Sequence, residues 1–101
     1  MEDDFSVAVQ RNLQGIEYEK QGLVDKAIML YEENIEDFFE GSHPYQRLAI
    51  IYRKQKNYED ERRVLEQAVY VFKNIVSKKR ADREPKLKYF NDRLKKLNKQ
   101  I

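Results

Sequence analysis

The chain of 101 residues has the length of a single domain, and its composition excludes several classes of protein. Charged residues make up 38% and apolar residues 41%, without a run of 18 apolar residues that could span a membrane. The absence of cysteine excludes a disulfide framework, a thiolate metal site and a cysteine nucleophile. Three glycines and two prolines are too few for the many tight turns of a β-sandwich or barrel. The composition therefore favours an all-α fold.

The net charge of +2 conceals an uneven distribution of charge along the chain. Residues 1–41 hold three basic and eleven acidic residues, a net charge of −8, whereas residues 73–101 hold eleven basic and three acidic residues, a net charge of +8. The two ends can attract each other, attract another copy, or present the tail to an acidic partner. They also suit the solvated faces of surface helices. The chain begins with acidic residues where a signal peptide is basic, so we expect a cytoplasmic protein.

The first two helices are predicted within the acidic part of the chain. The first covers residues 4–21, and Gly22 ends it. Its apolar residues recur at three- and four-residue steps, which places them on one face: Phe5, Val9, Leu13 and Ile16. The second helix begins around residues 23–25, and its apolar stripe continues through Phe38 and Phe39. The two helices should form an antiparallel hairpin.

Proline stands at the start of the third and fifth predicted helices, where its φ angle is already helical and its missing N–H is not needed. Residues 44–55 form the third helix. Asn57 caps a fourth, which keeps the helical period as far as Ser77. The fifth is a basic helix of residues 84–101 with one narrow apolar seam: Leu87, Phe90, Leu94, Leu97 and Ile101. No segment alternates with a period of two, so no strand is predicted.

The two helix pairs resemble each other in sequence and follow one another at a fixed interval. Sliding the second pair onto the first aligns Gly15 with Ala49 and Tyr18 with Tyr52. A helix-turn-helix unit of about 34 residues is typical of the tetratricopeptide repeat family. The first helix of the second unit resembles that family in its large, apolar, small and aromatic positions: Tyr45, Leu48, Ala49 and Tyr52. In both units a small residue allows the paired helices to approach, while a tyrosine fills the space between them.

This resemblance implies a tetratricopeptide-like α-solenoid of two divergent repeats. The first repeat covers about residues 8–41 and the second about residues 42–76. Because two repeats leave apolar faces at both ends of a stack, the helix of residues 84–101 is expected to cap it. Two polar residues stand where the family has small ones, namely Asn34 and Glu61.

The resemblance also implies that the protein binds other proteins. In this family the first helix of each repeat lines a concave groove that receives a peptide or a helix. The corresponding residues here lie on the first and third helices: Asn12, Ile16, Glu19, Lys20, Gln46, Ile50, Arg53 and Lys54. We therefore predict a scaffold or adaptor protein. The carboxylate-clamp version of the family has an asparagine where this chain has Ile16, so that activity is not expected.

Two alternative functions remain open at this point. The basic tail can hold nucleic acid through sequence-independent phosphate contacts from Lys78, Lys79, Arg80, Arg83 and Lys86. The seam of the fifth helix can instead pair between chains in a structural homo-oligomer, or an end helix can form a homodimer. The sequence holds no nucleotide-binding, hydrolase or zinc-protease motif, and the single histidine, His43, fits helix capping better than catalysis. We predict no enzyme activity, no metal, no cofactor and no membrane partner.

Overall fold

A computed structural model describes residues 3–100, which form five helices and no strand. The helices are α1 (Asp4–Lys20), α2 (Val24–Glu36), α3 (His43–Lys54), α4 (Tyr58–Asn74) and α5 (Arg83–Gln100). Each helix packs against the next one in the chain, in a flattened molecule that measures 44 × 36 × 18 Å. The predicted all-α class is confirmed. In the described part of the chain, no helix combines the length and the apolar character needed to cross a membrane.

The turn that closes each helical hairpin is repeated along the chain. After α1, the N–H of Leu23 donates a hydrogen bond to the carbonyl oxygen of Tyr18, at 2.8 Å. The corresponding bond after α3 has the same length, and an equivalent bond also follows α2. This is the Schellman motif, in which one residue after the helix adopts a left-handed backbone conformation. The left-handed residues have φ angles of 77°, 55° and 59° and are, in order, Gly22, Phe38 and Lys56.

The second helix ends earlier than the sequence predicts. The apolar stripe extends through Phe38 and Phe39, yet α2 stops at Glu36 because Phe38 turns into the left-handed region. The N–H of Phe39 then donates back to the carbonyl oxygen of Asn34, at 3.2 Å. A left-handed conformation costs a residue with a side chain roughly 1–2 kcal/mol. The ring of Phe38 is only about half buried, since it remains 48% exposed.

The two helices of the first hairpin, α1 and α2, approach each other closely at Gly15. A Cβ atom at this position would lie 2.5 Å from Cε1 of Tyr31, whose side chain is fully buried. The corresponding pair in the second hairpin is Ala49 and Leu65, both of which are also fully buried. The smaller glycine thus faces the larger tyrosine, and the larger alanine faces the smaller leucine. The summed side-chain volume is therefore similar in the two hairpins.

The predicted apolar face of α1 is wrong. Phe5 is 68% exposed and Leu13 is 61% exposed, so neither belongs to the core. The residues of α1 that are buried are small or polar, namely Ala8, Asn12 and Gly15. The helix turns this side towards α2 because the Gly15 contact and the hydrogen bonds of Asn12 require it. Half of the predicted apolar stripe of α1 is therefore left exposed to solvent.

The core is formed by α2 to α5. The third and fourth helices supply most of its fully buried side chains: Tyr45, Leu48, Ala49, Val64, Leu65, Ala68, Val71 and Phe72. The fifth helix packs on α4 and adds Phe90 and Leu97, which are fully buried, while Leu87 and Leu94 are partly buried. The seam of α5 thus covers its own chain, whereas pairing between chains would need it exposed. Ile101, which ends the predicted seam, lies outside the described residues.

Candidate functional site

A groove runs between α1 and α3, on the side of the molecule where the sequence predicts a binding surface. Its larger part has a volume of about 580 Å³ and is lined by Glu19, Lys20, Val24, Arg47, Ile51, Lys54 and Gln55. A neighbouring part of about 350 Å³ shares three of these residues and adds Ile16 and His43. We call the two parts together the α1/α3 groove. Its walls combine apolar side chains with three cations, a composition suited to binding a side chain and fixing its orientation.

The two helices are joined across the groove by an ion pair between Glu19 and Arg47. The guanidinium of Arg47 donates two hydrogen bonds to the Glu19 carboxylate, at 2.6 Å and 3.2 Å. The same carboxylate accepts a hydrogen bond from the hydroxyl of Tyr31, at 2.6 Å. Burial alone would raise the pKa of Glu19, but the bonds from Arg47 and Tyr31 hold it below its usual value. Glu19 therefore stays ionised and fixes the position of Arg47 in the groove.

His43 closes one end of the groove. Its ring packs edge-on against Tyr31, with the ring centroids 5.4 Å apart. Burial, and then the charge of Arg47, lower the pKa of His43, so the neutral imidazole is favoured. The predicted capping role requires correction, because Ser42 occupies the capping position of α3 and no side-chain capping bond forms there. The imidazole Nε2 is buried and has no hydrogen-bond partner among the described residues.

Three of the four α1 residues predicted for the groove do line it: Ile16, Glu19 and Lys20. Asn12 does not, because it is only 8% exposed and lies between α1 and α2. Its side-chain oxygen accepts a hydrogen bond of 2.9 Å from the amide of Asn34, which also donates to the carbonyl oxygen of Ala8 at 2.8 Å. Asn12 and Asn34 therefore hold the first hairpin together, and Asn12 cannot contact a ligand in the groove.

On α3 the predicted face is displaced by about one residue. Of the four predicted residues only Lys54 lines the groove, together with Arg47, Ile51 and Gln55, which sequence reasoning missed. Gln46, Ile50 and Arg53 lie about a quarter of a turn further around the helix, because successive residues are separated by about 100°. Spacing alone could not have found this face, because Gln46, Ile50 and Arg53 recur at the same four- and three-residue steps as Arg47, Ile51 and Lys54.

Arg53 belongs instead to a smaller cleft on the other side of α3. This cleft has a volume of about 150 Å³ and is lined by Arg53, Glu61, Arg93 and Lys96. Glu61 is only 1% exposed, and its carboxylate lies 3.3 Å from Nε of Arg53 and 3.7 Å from Nη2 of Arg93. The buried carboxylate thus joins α4 to both α3 and α5. A buried charge of this kind is strongly destabilising when its partner is removed, so Arg53 acts in folding.

The five cations predicted for nucleic-acid contact are not equally accessible. Lys78 and Lys79 are exposed in the loop between α4 and α5, and Lys86 is partly exposed on α5. Arg83 is only 8% exposed and donates to the carbonyl oxygen of Lys73 at 2.9 Å, so it cannot reach a phosphate at the surface.

Arg80 is also occupied by contacts within the chain. It forms two hydrogen bonds with the carboxylate of Asp82, at 2.9 Å and 2.8 Å, and donates to the carbonyl oxygen of Glu40. Its guanidinium also lies 5.8 Å from the ring centroid of Phe72. The accessible positive charge of the loop between α4 and α5 is therefore reduced to Lys78 and Lys79.

Comparisons of the chain with protein-family models, with curated proteins and with solved structures find no match. The tetratricopeptide resemblance accordingly depends on the residues of this chain and on the interval between its two helix pairs. Over residues 3–100, no group of three or more acidic or histidine side chains is placed to hold a metal ion. The groove presents the chemistry of noncovalent recognition: an apolar floor, fixed ion pairs and exposed lysines.

Proposed function

We propose that this protein is a non-enzymatic, cytoplasmic interaction module that binds a peptide or a helix of another protein in the α1/α3 groove. The observation that carries the proposal is the combination of apolar and cationic side chains in one groove. Ile16, Val24 and Ile51 supply apolar contact, while Lys20 and Lys54 stand exposed beside them. Residues in such positions bind an apolar side chain and select the charge next to it.

The charges of the groove favour an acidic partner segment. Glu19 is already bonded to Arg47 and Tyr31, so it adds little free negative charge. Lys54 forms no ion pair with any residue of the described chain, and Lys20 has only a 3.9 Å contact with Glu17. A segment with one apolar side chain and a neighbouring carboxylate would satisfy both lysines. Steering by these charges should make association faster at low salt than at high salt.

The test compares two double variants that change the charge equally. Lys20→Glu with Lys54→Glu reverses the charge of the groove, whereas Lys78→Glu with Lys79→Glu makes the same change in the loop between α4 and α5. Affinity capture from a cell lysate, with and without nuclease, should recover a defined protein with the wild-type chain and with the loop variant. Recovery should be lost with the groove variant.

The opposite pattern would contradict the proposal. If capture survives the groove change but is lost with the loop variant or after nuclease treatment, the basic tail and nucleic acid account for binding. Both variants alter exposed lysines, so each should keep the circular dichroism spectrum of the wild-type protein. A groove variant that fails to fold would be replaced by Lys54→Gln, which removes one charge without adding the opposite one.

A further inference from the structure

A second exposed surface lies where α1 begins and α2 ends, away from the α1/α3 groove. It is a cleft of about 510 Å³, which we call the aromatic cleft, lined by Asp4, Phe5, Ala8, Asn34, Asp37, Phe38, Phe39 and Glu40. The rings of Phe5 and Phe39 stack with their centroids 6.0 Å apart. Tyr70 of α4 extends the surface, with its ring 6.3 Å from that of Phe38. Exposed aromatic side chains gathered in one place mark interaction sites more often than isolated ones do.

The aromatic cleft is not explained by the needs of the fold. Phe5 is 68% exposed, Tyr70 is 53% exposed and Phe38 is 48% exposed, so these rings contribute little to the core. Phe38 also holds a left-handed φ angle of 55°, a conformation in which glycine has no steric cost and a bulky residue is unusual. The equivalent position after α1 is Gly22. The left-handed angle itself belongs to the turn, since Lys56 has a similar angle after α3, but the turn does not require an exposed aromatic ring.

The rim of the cleft carries negative charge. Asp4, Asp37 and Glu40 are all exposed residues that line it. Two cations lie nearby. Arg11 pairs with Glu33 at 3.1 Å and with Asp37 at 3.5 Å, and Arg80 pairs with Asp82. Within the described chain, the carboxylates of Asp4 and Glu40 form no ion pair. A rim with two unpaired carboxylates around aromatic rings is complementary to a basic segment that carries an apolar side chain.

We propose that the aromatic cleft docks a basic segment of a partner protein, in which an apolar side chain packs against the exposed phenylalanine rings and lysine or arginine residues lie over the rim. The carboxylates of Asp4 and Glu40 would pair with the cations of that segment. The rings of Phe38 and Tyr70 can add cation–π contacts. This surface shares no lining residue with the α1/α3 groove, so the inference does not depend on the function proposed above.

The α5 helix of a second copy fits the cleft less well than a segment of another protein does. It is the basic helix of the chain, with outer lysines. No large apolar side chain is exposed on α5 over the described residues 83–100. Its apolar seam already covers the core of its own chain. The α5 helix of a copy could therefore supply the cations but not the apolar anchor.

The test uses Phe38→Gly, which removes the ring and relieves the backbone strain at the same time. Its matched control is Lys56→Gly, which relieves the same strain in the equivalent turn after α3. Both variants should keep the fold, because glycine adopts this conformation without steric cost, and a melting curve of each variant checks this. Loss of binding by Phe38→Gly can then not be attributed to loss of the fold.

The probe is a library of random twelve-residue peptides displayed on phage and selected on the full chain. Peptides that bind the wild-type protein but not Phe38→Gly should be rich in lysine and arginine around a leucine, phenylalanine or tryptophan. Measured by fluorescence anisotropy, their dissociation constants should rise at least tenfold with Phe38→Gly and stay within twofold with Lys56→Gly. The variant Lys20→Glu with Lys54→Glu should bind them as the wild-type chain does, which separates this proposal from the α1/α3 groove.

Three results would overturn the inference. The first is a selection that yields no binding peptides, or that yields acidic peptides instead of basic ones. The second is binding of basic peptides that Phe38→Gly leaves unchanged. The third is a concentration-dependent increase in mass in sedimentation equilibrium that Phe38→Gly abolishes, since this would assign the cleft to a second copy of the chain.

Discussion

The two helical hairpins, α1–α2 and α3–α4, follow one plan but are held together by different forces. Both close with the same turn, which begins at Tyr18 in the first hairpin and at Tyr52 in the second. In the second hairpin the facing sides of the helices are apolar and fully buried, as at Leu48 and Leu65. In the first hairpin α1 buries only two small residues and Asn12. Polar bonds therefore replace much of the apolar burial that stabilises the second hairpin.

Each hairpin has one buried polar residue at a position where the other hairpin has alanine. Asn34 in the first hairpin aligns with Ala68 in the second, and Ala27 aligns with Glu61, with all four fully or almost fully buried. Asn34 bonds only to the neighbouring helix α1, whereas Glu61 bonds to helices on both sides. At these positions the first hairpin is thus less strongly connected to its neighbours than the second. It also contributes about half of the residues of the two exposed surfaces proposed for binding.

The largest expected effect comes from filling the close approach in the first hairpin. Gly15→Val should lower the free energy of unfolding by about 3 kcal/mol, because its side chain would overlap the buried ring of Tyr31. Urea denaturation followed by circular dichroism measures this change. Gln14→Ala, at an exposed neighbouring position, is the control and should change stability by less than about 0.5 kcal/mol.

This prediction can be sharpened by giving the first hairpin the small and large residues that face each other in the second. Gly15→Ala with Tyr31→Leu gives the first hairpin the pair that the second has at Ala49 and Leu65. The double variant should be less destabilised than the sum of its single changes, because the smaller leucine accommodates the added methyl group. Additive losses would contradict the assigned size complementarity.

A smaller effect is expected from the polar contact between α1 and α2. Asn34→Ala should lower the free energy of unfolding by about 2 kcal/mol, because it leaves the buried oxygens of Asn12 and Ala8 without their donor. The exposed Asn98→Ala on α5 is the matched control and should have little effect. Equal losses in the two variants, measured by urea denaturation, would mean that the buried amide contributes no more than a surface one.

The smallest effect is expected from the pH dependence of His43. Because burial lowers the pKa of His43 in the folded protein, the unfolded chain binds the proton first as the pH falls through the ordinary value of 6.5. The unfolded state then binds more protons, so stability is lost below this pH and regained above it. His43→Phe keeps a ring against Tyr31 and should flatten the dependence between pH 7 and pH 5.5. An unchanged slope in urea denaturation would contradict this assignment.

The helices themselves could be predicted from the sequence, because apolar periodicity and turn residues are local signals. Gly22 and Asn57 indicate the turns, and the structure places them there. The end of α2 could not be predicted in the same way. Phe38 continues the apolar period of α2. Its left-handed conformation is determined by the turn that leads the chain back towards α3, and not by the conformational preference of phenylalanine.

The burial of α1 and the exact face of α3 could not be predicted because they depend on distant partners. Phe5 and Leu13 form the better apolar stripe, yet the contact of Gly15 with Tyr31 turns the opposite side inwards. The ion pair of Glu19 with Arg47 likewise joins residues 28 positions apart. Charge type and helical spacing do not reveal such pairing, which decides whether a cation is free to bind a ligand.

Native-state hydrogen exchange tests most directly the claim that the first hairpin is the less stable half of the stack. Amides in the middle of α1, such as those of Asn12 and Ile16, should exchange through openings about 2 kcal/mol or more below the openings that expose Leu65 and Phe72 in α4. Equal protection across the two helices would contradict the account. It would mean that polar bonds stabilise the first hairpin as strongly as apolar burial stabilises the second.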